Sequence, residues 1–243
     1  MVAELGLGAP GEVEMDEEIY LLMVAELGLG VPRGGTMGDE HYLFGEMNDG
    51  DRVEAPEGDS LGRILSDLGR SEVCGACRKG MPVIFGEGEP GAGVMVIGEG
   101  PGVDDIDSER PFMGQAGILL DRMLGAIGLE RSDCYICNVI KCIPPGERNF
   151  SVEEVEDCRP ILLRQILVVK PRIIIAFGAL AAQTLLRSKR TISQLRGKVY
   201  PYRLNGMEMH LVPTFNPAYL LRVPEKKRES WEDLKLVRGV LSE

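Results

Sequence analysis

The chain has 243 residues, 44% of them hydrophobic, enough for one α/β domain with an extension; no run approaches the ~20 apolar residues of a membrane span. Its net charge of −11 argues against a uniformly basic nucleic-acid binder, but residues 1–58 hold 14 acids against Arg33 and Arg52, leaving the remaining 24 acids and 25 bases at a net of +1. Six cysteines, behind an N-terminus without a basic leader segment, point to a cytoplasmic protein whose thiols serve metal or redox chemistry before disulfides.

Residues 1–58 read as an acidic, glycine-rich extension, expected to be disordered. Within it Met1–Gly8 (MVAELGLG) recurs as Met23–Gly30, and two copies are too few for a solenoid. A sharper alternative is an acidic tail that competes with DNA for a basic face. The body is expected over 59–243. Leu61–Leu68 has helical spacing. Val94–Gly98 (VMVIG) reads as a buried parallel strand, Ala116–Ile127 as an amphipathic helix and Tyr135–Ile140 as a second strand. Val152–Val169 is helical and stops before Pro171. Arg172–Phe177 is the clearest buried strand, followed by a helix over Gly178–Leu186. Met207–Val212 is a fourth strand and Lys226–Leu241 a final helix. This alternation predicts a three-layer α/β/α fold around a four-stranded, mainly parallel sheet. Ligands on such sheets bind beyond the carboxyl ends of the strands, where Gly98–Gly102, Asn138–Arg148 and Thr214–Arg222 fall.

Two constellations carry chemistry. Cys74-x2-Cys77, with the distant Cys142 and Cys158, can close around one metal centre, and the spacing alone suits zinc or an iron–sulfur cluster. Cys134 and Cys137 form a second pair inside a strand, where i and i+3 face opposite sides, and read as core thiols. The turn Gly98-Glu99-Gly100-Pro101-Gly102 is neither a dinucleotide fingerprint nor a P-loop. It brings backbone N–H groups and a carboxylate to a strand end.

The ordered stretches GEGPGVDDIDSERPFMGQAGILLDRML, YICNVIKCIPPGERN, LLRQILVVKPRIIIAFGALAA, RGK and PTFNPAYLLR together resemble the iron–sulfur uracil-DNA glycosylases, the group usually numbered family four, over about Cys74 to Val240. The resemblance implies a [4Fe–4S] cluster on Cys74, Cys77, Cys142 and Cys158, structural in role. It also implies a base-excision repair hydrolase, monomeric and without membrane attachment, acting on single- or double-stranded uracil-containing DNA.

Such an enzyme flips the base into a pocket. Phe112 matches the aromatic on which the base stacks. Asn138 matches the amide that pairs with uracil O4 and N3–H, a donor–acceptor pattern that cytosine reverses. Glu99 matches the acid that stabilises the cation-like sugar and positions water, and Asp105 a second family acid, otherwise read as a solvated loop carboxylate. Gly100 stands where other uracil glycosylases carry an aspartate base. Pro217–Arg222 matches the loop entering the minor groove, with Leu220 or Leu221 as wedge and Arg222 on a phosphate. Lys141, Arg148, Arg196 and Lys198 are further phosphate candidates.

The departure is Asn216. The family reads HPAYLLR, and its histidine donates to uracil O2 as charge grows there. The chain's two histidines are His41 in the extension and His210 in a strand, and neither obviously replaces it. Asparagine can donate without a tunable charge, and the mismatch-directed branch of the superfamily carries Asn-Pro here. Two readings follow: a glycosylase, slower or altered in specificity and extending to other deaminated bases, or a weakly active or non-catalytic binder of uracil-containing DNA.

Overall fold

The computed structural model describes residues 51–70, 82–143 and 150–242. The acidic extension up to residue 50, Cys74, Cys77 and Arg148 lie outside the described residues.

Five strands form one sheet: β1 (Val94–Gly98), β2 (Cys134–Asn138), β3 (Ile173–Phe177), β4 (Tyr200–Leu204) and β5 (Met207–Thr214). Their spatial order is β2-β1-β3-β5-β4. The first three and β5 are parallel, with Gly98 level with Asn138 and Phe177 level with Thr214. Every residue of β1, β2 and β3 is buried, because helices cover both faces of a parallel sheet. Around it run α1 (Leu61–Arg70), α2 (Val103–Ser108), α3 (Gly114–Gly125), α4 (Val152–Val169), α5 (Ala179–Leu186), α6 (Ile192–Leu195), α7 (Pro217–Arg222) and α8 (Lys227–Ser242). None of the described helices is long and apolar enough to cross a membrane.

The expected architecture is therefore present with one strand more than the four read from the sequence. The extra strand, β4, is antiparallel to β5. It is joined to β5 by Asn205-Gly206, both at positive φ (48° and 82°), the geometry of a two-residue hairpin turn. Its side chains alternate between buried and more exposed and it contains Pro201, so no apolar run announces it. β4 begins opposite Leu211, so the pairing between β4 and β5 reaches no further along β5. Pro213 of β5 thus lies where β3 is the strand's paired neighbour, a position at which a proline is tolerated.

Asp51, counted with the extension in the sequence reading, is 3% exposed and bridges to Leu204 at the β4 edge. Its carboxylate accepts from Tyr202 Oη at 2.8 Å and from Arg187 Nε at 3.0 Å.

The chain leaves β1 outward to β2 and then returns across β1 to β3. This reversal opens a crevice at the carboxyl ends of the strands, where Glu99, Asn138, Gly178 and Asn216 converge.

Candidate active site

A cleft of about 560 Å³ opens at these strand ends. Its lining includes Glu99, Gly100, Phe112, Asn138, Phe150 and Asn216, with Tyr219, Leu221 and Arg222 along one side.

Gly98 sets the floor. A Cβ there would collide with both Asn138 Oδ1 and the Phe112 ring, so the two side chains meet over a glycine that leaves them room. Phe112 has φ +54°, a left-handed conformation rare for a bulky residue and stored mostly at functional sites. Its neighbours hold it there. Arg131 donates to the Pro111 carbonyl, and Asp105 Oδ1 accepts from Met113 N at 2.7 Å. A Cβ on Gly117 would strike the Phe112 carbonyl. The Phe112 ring meets Phe177 edge-on, with centroids 6.4 Å apart at 65°.

Asn138 is buried, and its carbonyl accepts from Lys141 Nζ at 2.6 Å. Its side-chain Nδ2 has no hydrogen-bond partner among the described residues. An unmet donor on a cleft wall suits a ligand carbonyl, since buried polar groups otherwise find partners.

Glu99 is oriented at both oxygens. Oε1 accepts from Leu180 N at 3.0 Å in the first turn of α5, and Oε2 from Asn216 Nδ2 at 3.4 Å. Gly178 at the entry to α5 has φ +100°, and a Cβ there would press on the Glu99 carboxyl carbon at 2.7 Å. Asn216 also caps α7, with Oδ1 accepting from Ala218 N at 2.9 Å. That bond turns Nδ2 toward Glu99.

Other sequence candidates are placed differently. Asp105 is buried, and its second oxygen accepts from Gly102 N at 3.0 Å. It ties the glycine turn to the Phe112 loop, and is neither a solvated carboxylate nor one with a bare oxygen for substrate. Leu220 is 1% exposed and packs inward, whereas Leu221 is 41% exposed beside Arg222 at the cleft. Lys141 is fully buried, its ammonium pKa lowered by desolvation, so it meets no phosphate. Arg196 is engaged by Asp233 and Glu229. Cys134 and Cys137 are buried in β2, and burial pushes the Cys134 thiol up to about 12 and raises Cys137 as well. Both are core thiols, protonated at neutral pH.

Sequence reasoning missed Phe150, whose ring covers Gly100 so closely that a Cβ on Gly100 would strike it. A single aromatic just ahead of the Ser151 cap of α4 carries no periodic signal.

Cys142 and Cys158 are both buried. Residues 71–81, which contain Cys74 and Cys77, lie in sequence between two described stretches of chain. On one side, Ile64 and Leu68 of α1 cluster with Ile161 of α4, one turn from Cys158. On the other, Val83 bridges to Cys142. Cys142 and the helix of Cys158 thus pack against the two described stretches that adjoin residues 71–81 in sequence, and thiolate donors suit an iron–sulfur cluster.

The family model of the Uracil DNA glycosylase superfamily matches residues 85–235. The chain belongs to that superfamily. It is 42% identical over 158 residues to the type-4 uracil-DNA glycosylase of Pyrobaculum aerophilum, covering 63% of this chain and 81% of that one. The type-4 enzyme of Archaeoglobus fulgidus is 35% identical over 183 residues, 74% of this chain and 92% of its own. That of Thermotoga maritima is 36% identical over 189 residues, 75% and 96%. Within the superfamily frame, the cleft falls on the motif-bearing segments that the sequence singled out.

Proposed function

We propose that this protein is a uracil-DNA glycosylase, hydrolysing the bond between uracil and deoxyribose in DNA after the nucleotide is flipped from the stack. The observation that carries this reading is the meeting of Phe112 and Asn138 over Gly98, in one cleft with Glu99 and Asn216. A pyrimidine stacks on the Phe112 ring while Asn138 Nδ2 donates to O4 and Oδ1 accepts from N3–H. Cytosine, offering an amine and a bare nitrogen there, leaves both groups unpaired and is rejected.

As the C1′–N1 bond lengthens, the sugar gains positive and the base negative charge. The Glu99 carboxylate, already aligned by Leu180 N–H and Asn216, stabilises the sugar and orients a water. The water oxygen bonds to C1′, and its proton leaves to solvent or to the departing uracil. The second Nδ2 hydrogen of Asn216 is left to support the base oxygen. Leu221 fills the vacated stack and Arg222 contacts a flanking phosphate. The same pocket shape extends to other deaminated bases with a carbonyl and an N–H in these positions.

Cys74, Cys77, Cys142 and Cys158 would hold a [4Fe–4S] cluster, whose binding energy ties the early and middle parts of the domain together. The reaction is carried by the cleft residues alone. The protein acts as a monomer, with residues 1–58 as an acidic extension outside the glycosylase reading.

Asn216 supports a second reading, a slow enzyme or pure binder, because losing one transition-state donor costs ~10²–10³ in rate. One assay separates the readings. Purified full chain is incubated with single- and double-stranded uracil oligonucleotides, then with alkali. Breaks at uracil establish the glycosylase, whereas a mobility shift without breaks leaves only the binder. Iron and acid-labile sulfide near four per chain, with brown visible absorbance, would identify the cluster; stoichiometric zinc would replace it.

A further inference from the structure

Asp233 of α8 is 0% exposed and lies behind the cleft, not on its wall. Its Oδ1 accepts from Gly197 N at 2.8 Å and Arg196 Nη2 at 2.9 Å, and its Oδ2 from Arg196 Nε at 2.9 Å. Oδ2 also meets Thr214 Oγ1 at 2.7 Å, and Ser230 Oγ lies 3.0 Å from the same hydroxyl. A threonine hydroxyl has one proton and a carboxylate only accepts. Thr214 therefore donates to Asp233, and Ser230 donates to Thr214.

Thr214 ends β5, two residues ahead of Asn216. Its carbonyl accepts from Gly178 N at 2.8 Å, at the turn into α5 whose Leu180 N–H holds Glu99. The Arg196 guanidinium lies over the Phe215 ring at 5.4 Å, and Phe215 stacks on Tyr219 at 5.2 Å and 28°. Phe215 and Tyr219 bracket Asn216 in the chain. One buried carboxylate thus reaches both groups of the Asn216–Glu99 pair by short, bonded routes.

A buried charge is weak evidence for stability. Desolvation pushes the Asp233 carboxyl up to about 6 against the opposing pull of Arg196, so its charge is harder to hold in the fold than in an unfolded chain. A group kept at that cost has a use other than stability.

We infer that Asp233 is a positioning residue: through Thr214, Arg196 and Phe215 it fixes the Asn216 amide, and through Thr214 and Gly178 the Glu99 carboxylate. This rests on the glycosylase reading. Misplacing reacting groups by about 1 Å lowers rates by up to ~10²-fold, while Phe112 and Asn138, on other elements, still take the base.

The test uses the full chain with Asp233→Asn, Thr214→Val and Thr214→Ser. Single-turnover uracil release is measured beside the Kd for DNA carrying uncleavable 2′-fluoro-deoxyuridine. Thr214→Val is nearly isosteric and keeps the Asp233–Arg196 pair, so it remains informative even where Asp233→Asn misfolds. In Thr214→Val, release should slow roughly 10- to 100-fold with Kd near the parent value, and Thr214→Ser should recover most of the rate. Parent-like release from Thr214→Val, or DNA binding lost in step with rate, overturns the inference. A parent protein that binds but releases no uracil instead overturns the glycosylase reading, and the inference with it.

Discussion

Asn216 Nδ2 donates to Glu99 Oε2 across 3.4 Å while its Oδ1 caps α7 at Ala218. The residue that departs from the family motif is thus both a helix cap and the partner of the candidate catalytic acid. Asn216→Asp keeps the cap, since aspartate caps as well as asparagine, but sets a second carboxylate against Glu99. Uracil release should fall by ~10² or more with little change in melting temperature. Asn216→His supplies a chargeable donor and should raise the rate. An unchanged rate in both variants removes Asn216 from the reaction.

Gly98→Ala places a methyl where Asn138 Oδ1 and the Phe112 ring already stand. Base binding should weaken more than for Phe112→Leu, which keeps an apolar surface and loses only the flat ring. Titration with uncleavable uracil-analogue DNA reads this directly. Equal affinity for Gly98→Ala and parent would place the base elsewhere.

Leu220 and Leu221 are adjacent with opposite environments, 1% and 41% exposed. Leu220→Ala should cost ~2–5 kcal/mol of stability, as buried leucine truncations do. Leu221→Ala should leave stability within about 0.5 kcal/mol but slow release from duplex more than from single strands, because only a duplex needs its stack filled. Chemical denaturation and paired kinetics check both.

Asp233 gives a pH dependence with a definite sign. Burial raises its carboxyl from 3.8 to about 6, so between those values the folded protein binds more protons than the unfolded chain. Its contribution to stability is fully present below about 4 and is lost as pH rises toward 6. Two pKa units correspond to roughly 3 kcal/mol. Denaturant melts from pH 4 to 7, parent minus Asp233→Asn, should show the parent losing ground across that window. A flat difference refutes the assignment. The same carboxylate also accepts from Arg196, beside Glu229, and Arg196 and Lys226 flank Phe215, so both variants need comparison at constant ionic strength.

Arg164 of α4 grips Asp59 through Nε at 2.7 Å and Nη2 at 2.9 Å, and Asp67 at 2.8 Å. It pins α1 beside the helix that carries Cys158. Arg164 holds the Asp59 carboxyl below its usual 3.8, so this pair's stabilisation is present above that value and is lost as pH falls below it. Arg164→Met should make the absorbance of the proposed cluster decay faster under chelator while the Asn216–Glu99 side of the sheet stays folded. Decay at the parental rate would separate α1 packing from the cluster.

The local signals carried far where physics is local. All-buried strands read as unbroken apolar runs, the Val152–Val169 helix was seen to stop before Pro171, and the ordered motifs led to the superfamily. The Asn205-Gly206 hairpin was also written in the chain, but a half-exposed edge strand holding Pro201 has no hydrophobic run to flag it. Phe112 and Asn138 were named from sequence, yet nothing in the sequence put their side chains over Gly98.

What the sequence determined alone is the order of the parallel strands and the long helices between them, the glycine turn at the end of β1 and the thiols available to a metal centre, because each follows from residue type and short spacing. Tertiary structure decided which of two leucines faces out, that Asp105 is consumed by backbone N–H groups, that Lys141 is sealed inside, and that Phe150 and Asp233 stand against the site. Those depend on burial and on hydrogen bonds between residues far apart in the chain. Such relationships arise only when β1, β2, β3 and β5 align and their carboxyl ends bring the loops together.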